Sequence, residues 1–208
     1  MAQYGFYVNT DICVGCKACM TSCFDRNNLE VPQKFRKVYE YGGGEWMADD
    51  KGAFTTTAFT YYVSMTCGHC DKPACVEKCP TGAMAKDKET GIVNNDKEKC
   101  IGCMTCQIAC PYGHPVKLED GLSHKCDACM DDLVDGKPVC VRSCPVRALD
   151  FGDIKELRAK YGEVNTMGDL PSETGPNVVF SVHRDAAKGG TLRNEVEVLC
   201  ELSDVLRL

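Results

Sequence analysis

Short apolar runs, separated by long polar and glycine-rich stretches, make up most of the chain. The segments YGFYVN near the start, FTTTAFTYYVSM over 54–65 and NVVFSVH over 177–183 are rich in β-branched and aromatic residues, which favours strands. Shorter runs at 92–93 and 116–118 are further strand candidates. The pattern therefore predicts short strands connected by irregular segments.

One helix is predicted from the residues at its two ends. The segment DIKELRAKYG offers Asp153 as an N-cap, and Gly162 comes just past the last helical position. Residues 24–53 are predicted to be rich in loops, with the three glycines at 42–44 forming a compact turn. A polar loop is expected over 163–177.

Charge and hydropathy exclude several classes of protein. A formal charge of −6 gives no electrostatic footprint for nucleic acid. No run of about 18 apolar residues is present, so we expect no membrane span. The start, MAQYGFYVNTDIC, lacks the basic and apolar regions of a signal peptide, and no Arg-Arg pair indicates a twin-arginine signal. The tail from Asp185 is expected to lie on the core or on a partner, or to be disordered.

Cysteine is the most informative residue type, with 17 in 208 residues. Such a density indicates disulfides, metal or clusters. Cys200 stands apart, and the other sixteen form four groups of four. The groups are, in order, Cys13, Cys16, Cys19 and Cys23; Cys67, Cys70, Cys75 and Cys79; Cys100, Cys103, Cys106 and Cys110; and Cys126, Cys129, Cys140 and Cys144.

Groups one and three share the spacing C-x2-C-x2-C-x3-C. In two-cluster ferredoxins three cysteines of this run bind one cluster and the fourth binds the other. The fourth cysteine lies a helical turn beyond the loop that holds the first three, and it therefore points away from them. Proline follows Cys79, Cys110 and Cys144 and ends the local helix. Cys23 is followed by Phe24, which departs from this pattern.

An internal duplication relates the first two groups to the last two. Residues 13–23, CVGCKACMTSC, align with CIGCMTCQIAC at 100–110. Residues 72–84, KPACVEKCPTGAM, align with KPVCVRSCPVRAL at 137–149. The repeated unit is therefore a pair of cysteine groups.

Three alternatives to electron-transfer iron–sulfur clusters fit this arrangement less well. Disulfide frameworks do not repeat C-x2-C-x2-C-x3-C. Zinc sites are commonly built from two CxxC pairs, and a three-cysteine loop is a poor zinc chelate. A radical-generating cluster would need C-x3-C-x2-C, which is absent from the sequence. We therefore expect clusters, although disulfides and zinc stay open as minor alternatives.

A few other residues stand near the cysteines. His69 and His114 could donate to cluster sulfur, but packed or solvated histidines are the favoured interpretation. Lys125 is expected to be solvated, Trp46 to be packed, and Cys200 to be a plain thiol. The sequence contains no nucleophile with its base, no P-loop and no GxGxxG segment. We therefore expect no catalytic residues in this chain.

The chain resembles the iron–sulfur subunit of the dimethyl sulfoxide reductase family of molybdopterin oxidoreductases. The resemblance runs from the first residues to about residue 160 and fades beyond about 185. It rests on QYGF, CVGCKAC, VYEYGGGEW, CGHCDKPAC, KCIGCMTCQIACPYG and KCDACMDDLVDGKPVCVRSCPVRALDFG.

The resemblance implies an α+β fold of two ferredoxin-like halves with pseudo-twofold symmetry and many irregular loops. Residues 1–60 plus 118–185 would form one half, 61–117 an inserted half, and 186–208 a C-terminal extension. Related nitrate reductase subunits carry tryptophan at one group-three position and hold a [3Fe–4S] cluster. Group three is complete here, so four [4Fe–4S] clusters are implied, with these ligands: Cys13, Cys16, Cys19 and Cys144; Cys67, Cys70, Cys75 and Cys110; Cys100, Cys103, Cys106 and Cys79; and Cys126, Cys129, Cys140 and Cys23.

The family also implies partners. A molybdopterin catalytic subunit would reduce the substrate, and a membrane anchor would oxidise quinol. This chain would relay electrons between them, peripherally on the outer face of the cytoplasmic membrane after export with a twin-arginine-bearing partner. Equivalent subunits of formate dehydrogenase, polysulfide reductase or catechol dehydroxylase, and a freestanding polyferredoxin, are the alternatives, because the substrate is determined by the partner.

Overall fold

The computed structural model describes residues 2–167 and 170–194. Cys200 lies outside the described residues. Within them are five α-helices: α1 (Ala18–Arg26), α2 (Ala74–Glu77), α3 (Thr105–Ala109), α4 (Val139–Arg142) and α5 (Ile154–Tyr161). The strands described are β1 (Tyr4–Asn9), β2 (Arg36–Gly43), β3 (Trp46–Ala48), β4 (Phe54–Thr56), β5 (Phe59–Thr66), β6 (Met84–Lys86), β7 (Val93–Asn95), β8 (Val116–Lys117), β9 (Ser123–His124), β10 (Leu149–Asp153), β11 (Val178–Ser181) and β12 (Thr191–Leu192).

The strands form small sheets, as expected for an α+β protein with few helices. One three-stranded sheet has the order β10-β1-β11, and a second has the order β12-β2-β5. The remaining strands form the two-stranded pairs β3-β4, β6-β7 and β8-β9. None of the described helices is long and apolar enough to cross a membrane.

The sheet around β1 separates two apolar layers. Phe6 and Val8 face the main core, where the Phe6 ring lies 4.9 Å from that of Phe151. Tyr7 faces the other side, as the two-residue period of a strand requires. There it packs with α5, and its ring stacks on Tyr161 at 3.6 Å. This sheet anchors the chain immediately before group one and immediately after group four.

Helix α5 begins and ends where its sequence predicted. The Asp153 carboxylate accepts a hydrogen bond from the Lys155 N–H at 2.8 Å, and Gly162 follows the last turn. The strands predicted at 177–183 and 116–118 also form, as β11 and β8, whereas the strand predicted at 92–93 begins one residue later, as β7.

The turn predicted at the three glycines is wrong, because two of them lie inside β2. Gly42 and Gly43 pair with Thr60 and Phe59 of β5. A Cβ atom on Gly43 would lie 2.8 Å from the Phe59 ring, so glycine is needed there for close packing. Only Gly44, at φ +76°, makes the turn out of the strand.

The strand predicted over 54–65 is interrupted, and its two parts have different neighbours. β4 pairs with β3 in a hairpin whose six strand residues are all exposed, whereas β5 pairs with β2. Trp46, on this hairpin, is 68% exposed, so its predicted packing within the chain is wrong. Beyond residue 185 the described part of the extension lies on the core, because β12 pairs with β2. There Asn194 also hydrogen-bonds Glu40 N and Val38 O.

Candidate iron–sulfur cluster sites

Three cavities are each lined by four cysteines. In every case three of the cysteines come from one sequence group and the fourth comes from another. The lining sets are Cys13, Cys16, Cys19 and Cys144; Cys67, Cys70, Cys75 and Cys110; and Cys100, Cys103, Cys106 and Cys79.

The remaining four cysteines form a fourth, deeply buried set. Cys23, Cys126, Cys129 and Cys140 are all buried. Burial raises the pKa of Cys23, and the neighbouring Cys126, Cys140 and Cys129 thiols raise it further. The structure thus brings the sixteen grouped cysteines into four sets of four, each combining two groups.

Helix packing explains why the fourth cysteine joins the other group's set. Helix α1 packs against α4, and α2 packs against α3. Cys23 lies in the last turns of α1, and Cys144 lies just past the end of α4. Because the paired helices lie side by side, the end of each one reaches the cysteine loop that belongs to its partner. The same holds for Cys79 after α2 and Cys110 after α3.

The loops of groups one and three share left-handed backbone positions. Gly15 and Gly102 have φ values of +65° and +68°, and Lys17 and Met104, at +60° and +58°, precede α1 and α3. A Cβ atom at Gly102 would collide with the Gly121 carbonyl oxygen. These turns let three cysteines face one centre within seven residues.

The donor atoms of each set fit a [4Fe–4S] cluster. Each set offers four thiols, the number that a [4Fe–4S] cluster requires. Among the described residues, no group of three or more His, Cys, Asp or Glu side chains is close enough together to hold a single metal ion. A cubane has one thiolate on each of four irons, so its ligands stand further apart than those of one ion.

Comparison with known proteins agrees with this chemistry. Residues 58–154 match the 4Fe-4S dicluster domain family. One chain of the anaerobic dimethyl sulfoxide reductase of Escherichia coli K12 is 45% identical over 192 residues, covering 90% of this chain and 93% of the relative. The corresponding chain of the Haemophilus influenzae reductase is 43% identical, over 91% and 94%. A sulfite dehydrogenase subunit of Allochromatium vinosum is 34% identical, over 75% and 71%.

The chain belongs to the dimethyl sulfoxide reductase iron–sulfur subunit family. The resemblance expected from the motifs is confirmed. The matched dicluster range covers cysteine groups two, three and four, and group one lies before it. Identity over nine-tenths of both chains extends the relationship through group one.

In this iron–sulfur subunit several sulfur atoms already accept hydrogen bonds. The Thr174 hydroxyl donates to Cys70, and backbone N–H groups donate to three other sulfurs, at 3.2–3.4 Å, which favours thiolate over thiol. Those N–H pairs are Met84 with Cys79, Ala148 with Cys144, and Ala128 with Cys126. The Ser64 and Ser123 hydroxyls lie 3.2 and 3.1 Å from Cys19 and Cys106, where either atom can be the donor. The three hydroxyl groups lie 17 to 104 residues from their cysteines, so no sequence motif reveals them.

Burial sets the proton affinity of most of the thiols. It raises the pKa of Cys75 and Cys129 to about 12 and that of Cys70 to about 11, helped by neighbouring thiols. Cys79 differs. Burial alone would raise its pKa, but several hydrogen bonds, led by that from the Met84 N–H, together lower it. Iron binding at these positions would require loss of the thiol protons, which burial opposes.

Two histidines and a lysine are buried beside the second cavity. His69 and His114 are packed in the interior; the Val93 N–H donates to His69 Nδ1 at 3.1 Å. Neither ring nitrogen of His114 has a hydrogen-bond partner among the described residues, although its ring lines the cavity. The expectation of a solvated Lys125 is wrong. It is buried, and its Nζ donates to the Cys126 carbonyl at 2.7 Å.

Proposed function

We propose that this chain relays single electrons through four [4Fe–4S] clusters and has no catalytic site of its own. The observation that carries the proposal is the gathering of sixteen cysteines into four sets of four, described above. Family membership supports it, because the matched family is a 4Fe-4S dicluster domain. When bound, each cluster supplies a site that accepts and returns one electron.

The proposed ligands follow the four sets. The first cluster takes Cys13, Cys16, Cys19 and Cys144; the second takes Cys67, Cys70, Cys75 and Cys110; the third takes Cys100, Cys103, Cys106 and Cys79; and the fourth takes Cys126, Cys129, Cys140 and Cys23. Each of these ligand sets closes a loop over a distant segment, so binding also holds the fold together.

We further propose two ferredoxin-like halves with pseudo-twofold symmetry, one over 1–60 plus 118–185 and the other over 61–117. Corresponding features support it. The strand before group one pairs with the strand after group four, and β7 before group three pairs likewise with β6 after group two. Ser64 contacts Cys19 as Ser123 contacts Cys106. Residues 186–208 would form an extension.

Neighbouring sulfurs suggest the order of the clusters. The Cys140 thiolate would raise the pKa of Cys19, which indicates that the fourth cluster lies beside the first. After burial, the Cys67 thiol is the largest influence raising the pKa of Cys126, which brings the second cluster beside the fourth. The packing of α2 on α3 joins the second to the third. The path would run first, fourth, second, third, with exposed Cys16 and Cys103 at its two ends.

Two exposed ends suit a relay between two partners. We propose a molybdopterin catalytic subunit at one end and a quinol-oxidising membrane anchor at the other. The assembly would lie on the outer face of the cytoplasmic membrane, with a partner carrying the export signal. The basis is the relatedness to a chain of the anaerobic dimethyl sulfoxide reductase. A sulfite dehydrogenase subunit among the relatives favours a second candidate, the same relay serving a different molybdopterin enzyme.

Metal and sulfide analysis of the anaerobically purified chain tests the proposal. We expect a brown protein with about 16 iron and 16 sulfide, four of each per cluster. Low-temperature electron paramagnetic resonance (EPR) of the dithionite-reduced protein should show interacting spins of several [4Fe–4S]⁺ clusters. About eight irons would reduce the proposal to a two-cluster carrier, and zinc without sulfide would overturn it. Co-expression with neighbouring open reading frames identifies the partners.

A further inference from the structure

Arg36 is the first residue of β2, and its side chain is buried inside the protein at 1% exposure. Its guanidinium lies over the Phe6 ring, 5.0 Å from the centroid. Nη1 donates to the Ser64 carbonyl at 3.3 Å and to the Ser64 hydroxyl at 3.0 Å. Nε and Nη2 have no hydrogen-bond partner, and no carboxylate pairs with Arg36 among the described residues.

The surroundings of this cation are thiols. Desolvation opposes its charge, yet nearby cysteines hold the pKa of Arg36 above its ordinary value. Those cysteines are Cys140, Cys19, Cys126 and Cys23. Cys19 belongs to the proposed first cluster and the other three belong to the fourth, so Arg36 lies between the two. The Ser64 hydroxyl that Arg36 contacts is itself 3.2 Å from Cys19 Sγ.

A fully buried and unpaired guanidinium is strongly unfavourable unless an anion lies nearby. Thiolate-ligated clusters are anionic, and reduction adds one more negative charge. A fixed cation beside a cluster therefore stabilises the reduced form more than the oxidised form. The two free N–H-bearing nitrogens also provide donors that cluster or ligand sulfur can accept.

We propose that Arg36 lies between the first and fourth clusters and that its positive charge raises the reduction potential of both. Its role rests on the proposed function, since it requires clusters at groups one and four. One shared cation keeps two adjacent clusters easy to reduce together, which favours rapid passage of an electron between them.

The other half provides a matched comparison. Lys97 Nζ donates to the Ser123 carbonyl at 2.5 Å, and Ser123 lies 3.1 Å from Cys106 Sγ, which parallels Arg36, Ser64 and Cys19. Lys97, however, is exposed. Solvent screens an exposed charge, so Lys97 should influence its cluster much less than Arg36 influences its two.

The test is an EPR-monitored redox titration of the chain in complex with its co-expressed partners. We expect Arg36→Gln to lower the potentials of two clusters and leave the other two unchanged. Arg36→Lys, which keeps the charge, should restore most of the shift, and Lys97→Gln should move at most one cluster, slightly. Unchanged potentials in an Arg36→Gln protein with wild-type iron content would overturn the proposal. So would an equal shift in Arg36→Gln and Arg36→Lys.

A measurement on the unmodified chain applies even if Arg36→Gln fails to assemble. Arginine labelled with ¹⁵N in the guanidinium is incorporated, and the reduced protein is examined by pulsed EPR. We expect weak ¹⁵N couplings to the clusters of groups one and four, and their loss in Arg36→Lys. If protein with about 16 iron shows no ¹⁵N coupling, the role proposed for Arg36 is refuted, but the proposed function is not. Absence of the clusters themselves refutes the proposed function instead.

Discussion

Among the described residues, the buried charged side chains all have one sign. Arg36, Lys37 and Lys125 are buried, whereas no aspartate or glutamate is buried among the described residues. The chain as a whole carries a formal charge of −6, yet the charged side chains buried among the described residues are all basic. Burying a cation in an apolar core is unfavourable unless hydrogen bonds or nearby anions offset the loss of hydration. Buried cations are favourable next to buried anions, and thiolate-bound clusters are anionic.

His114 makes the stability of the protein depend on pH. Burial, helped by Lys37 and Lys125, lowers the pKa of His114 to about 3, against about 6.5 when unfolded. The unfolded state therefore binds more protons between these values, and stability falls as the pH decreases below about 6.5. We expect His114→Phe to reduce the loss of stability between pH 7 and pH 5 by about 2 kcal/mol.

The measurement for His114 is anaerobic denaturant unfolding at both pH values, with cluster absorbance and far-UV circular dichroism followed together. Equal pH dependence in wild type and His114→Phe would show that His114 is not held neutral.

Gly102 is required by its surroundings as well as by its backbone angle. Its φ of +68° and the Gly121 carbonyl in the path of a Cβ both oppose alanine. Gly113, at φ +58°, has open space instead. We expect Gly102→Ala to lower stability by about 2–5 kcal/mol and Gly113→Ala by about 1–2 kcal/mol, from strain alone. Thermal melts and iron content check both; equal losses would contradict the close approach.

At the scale of elements, residues at a helix end predicted the bounds of that helix, because capping is a local interaction. Asp153 and Gly162 marked α5 correctly, because caps act within one turn. Gly42 and Gly43 suggested a turn, yet both pair with β5, and a Cβ on Gly43 would lie 2.8 Å from the Phe59 ring. Packing between distant segments decided that outcome. The short β6, β9, β10 and β12 carry too few residues for a period to be recognised.

The packing of α1 on α4 predicts the effect of removing a crossed ligand. We expect Cys144→Ser to perturb the cluster of Cys13, Cys16 and Cys19. The cluster that includes Cys140, which is close to Cys144 in the sequence, should be unaffected. Cys140→Ser, the matched control, should do the reverse. Iron analysis and EPR of each variant distinguish them.

The same cluster lost in both Cys144→Ser and Cys140→Ser would contradict the crossing. Electron transfer through uncrossed clusters would still be compatible with that result.

At the scale of the whole molecule, the sequence identified the cysteines but not their surroundings. Repeated spacing predicted four groups of four cysteines as candidate ligands, because a ligand motif is local. Arg36, Ser64 and Thr174 reach the sulfurs only through folding, so sequence spacing gives no sign of them. Lys125 was expected to be an ordinary surface lysine for the same reason.

The extension also contributes to the whole. β12 adds to the edge of β2, and Asn194 makes two hydrogen bonds to that strand. Deleting residues from 186 onward removes these contacts, and we expect a loss of about 1–3 kcal/mol. A chain ending at residue 194 keeps all of them and is the control. Comparable melting temperatures for the two truncations would show that β12 contributes nothing to stability.

Cys16 and Cys103 are exposed, whereas the thiols of the fourth set are all buried. Dioxygen and peroxide would therefore reach the two outermost clusters first and leave the inner pair intact for longer. Air damage to the separated subunit would begin at the points where it joins its neighbours. Within a complete complex the neighbouring subunits would cover these two clusters, so assembly would protect the chain of clusters from oxidants as well as connect it to its redox partners.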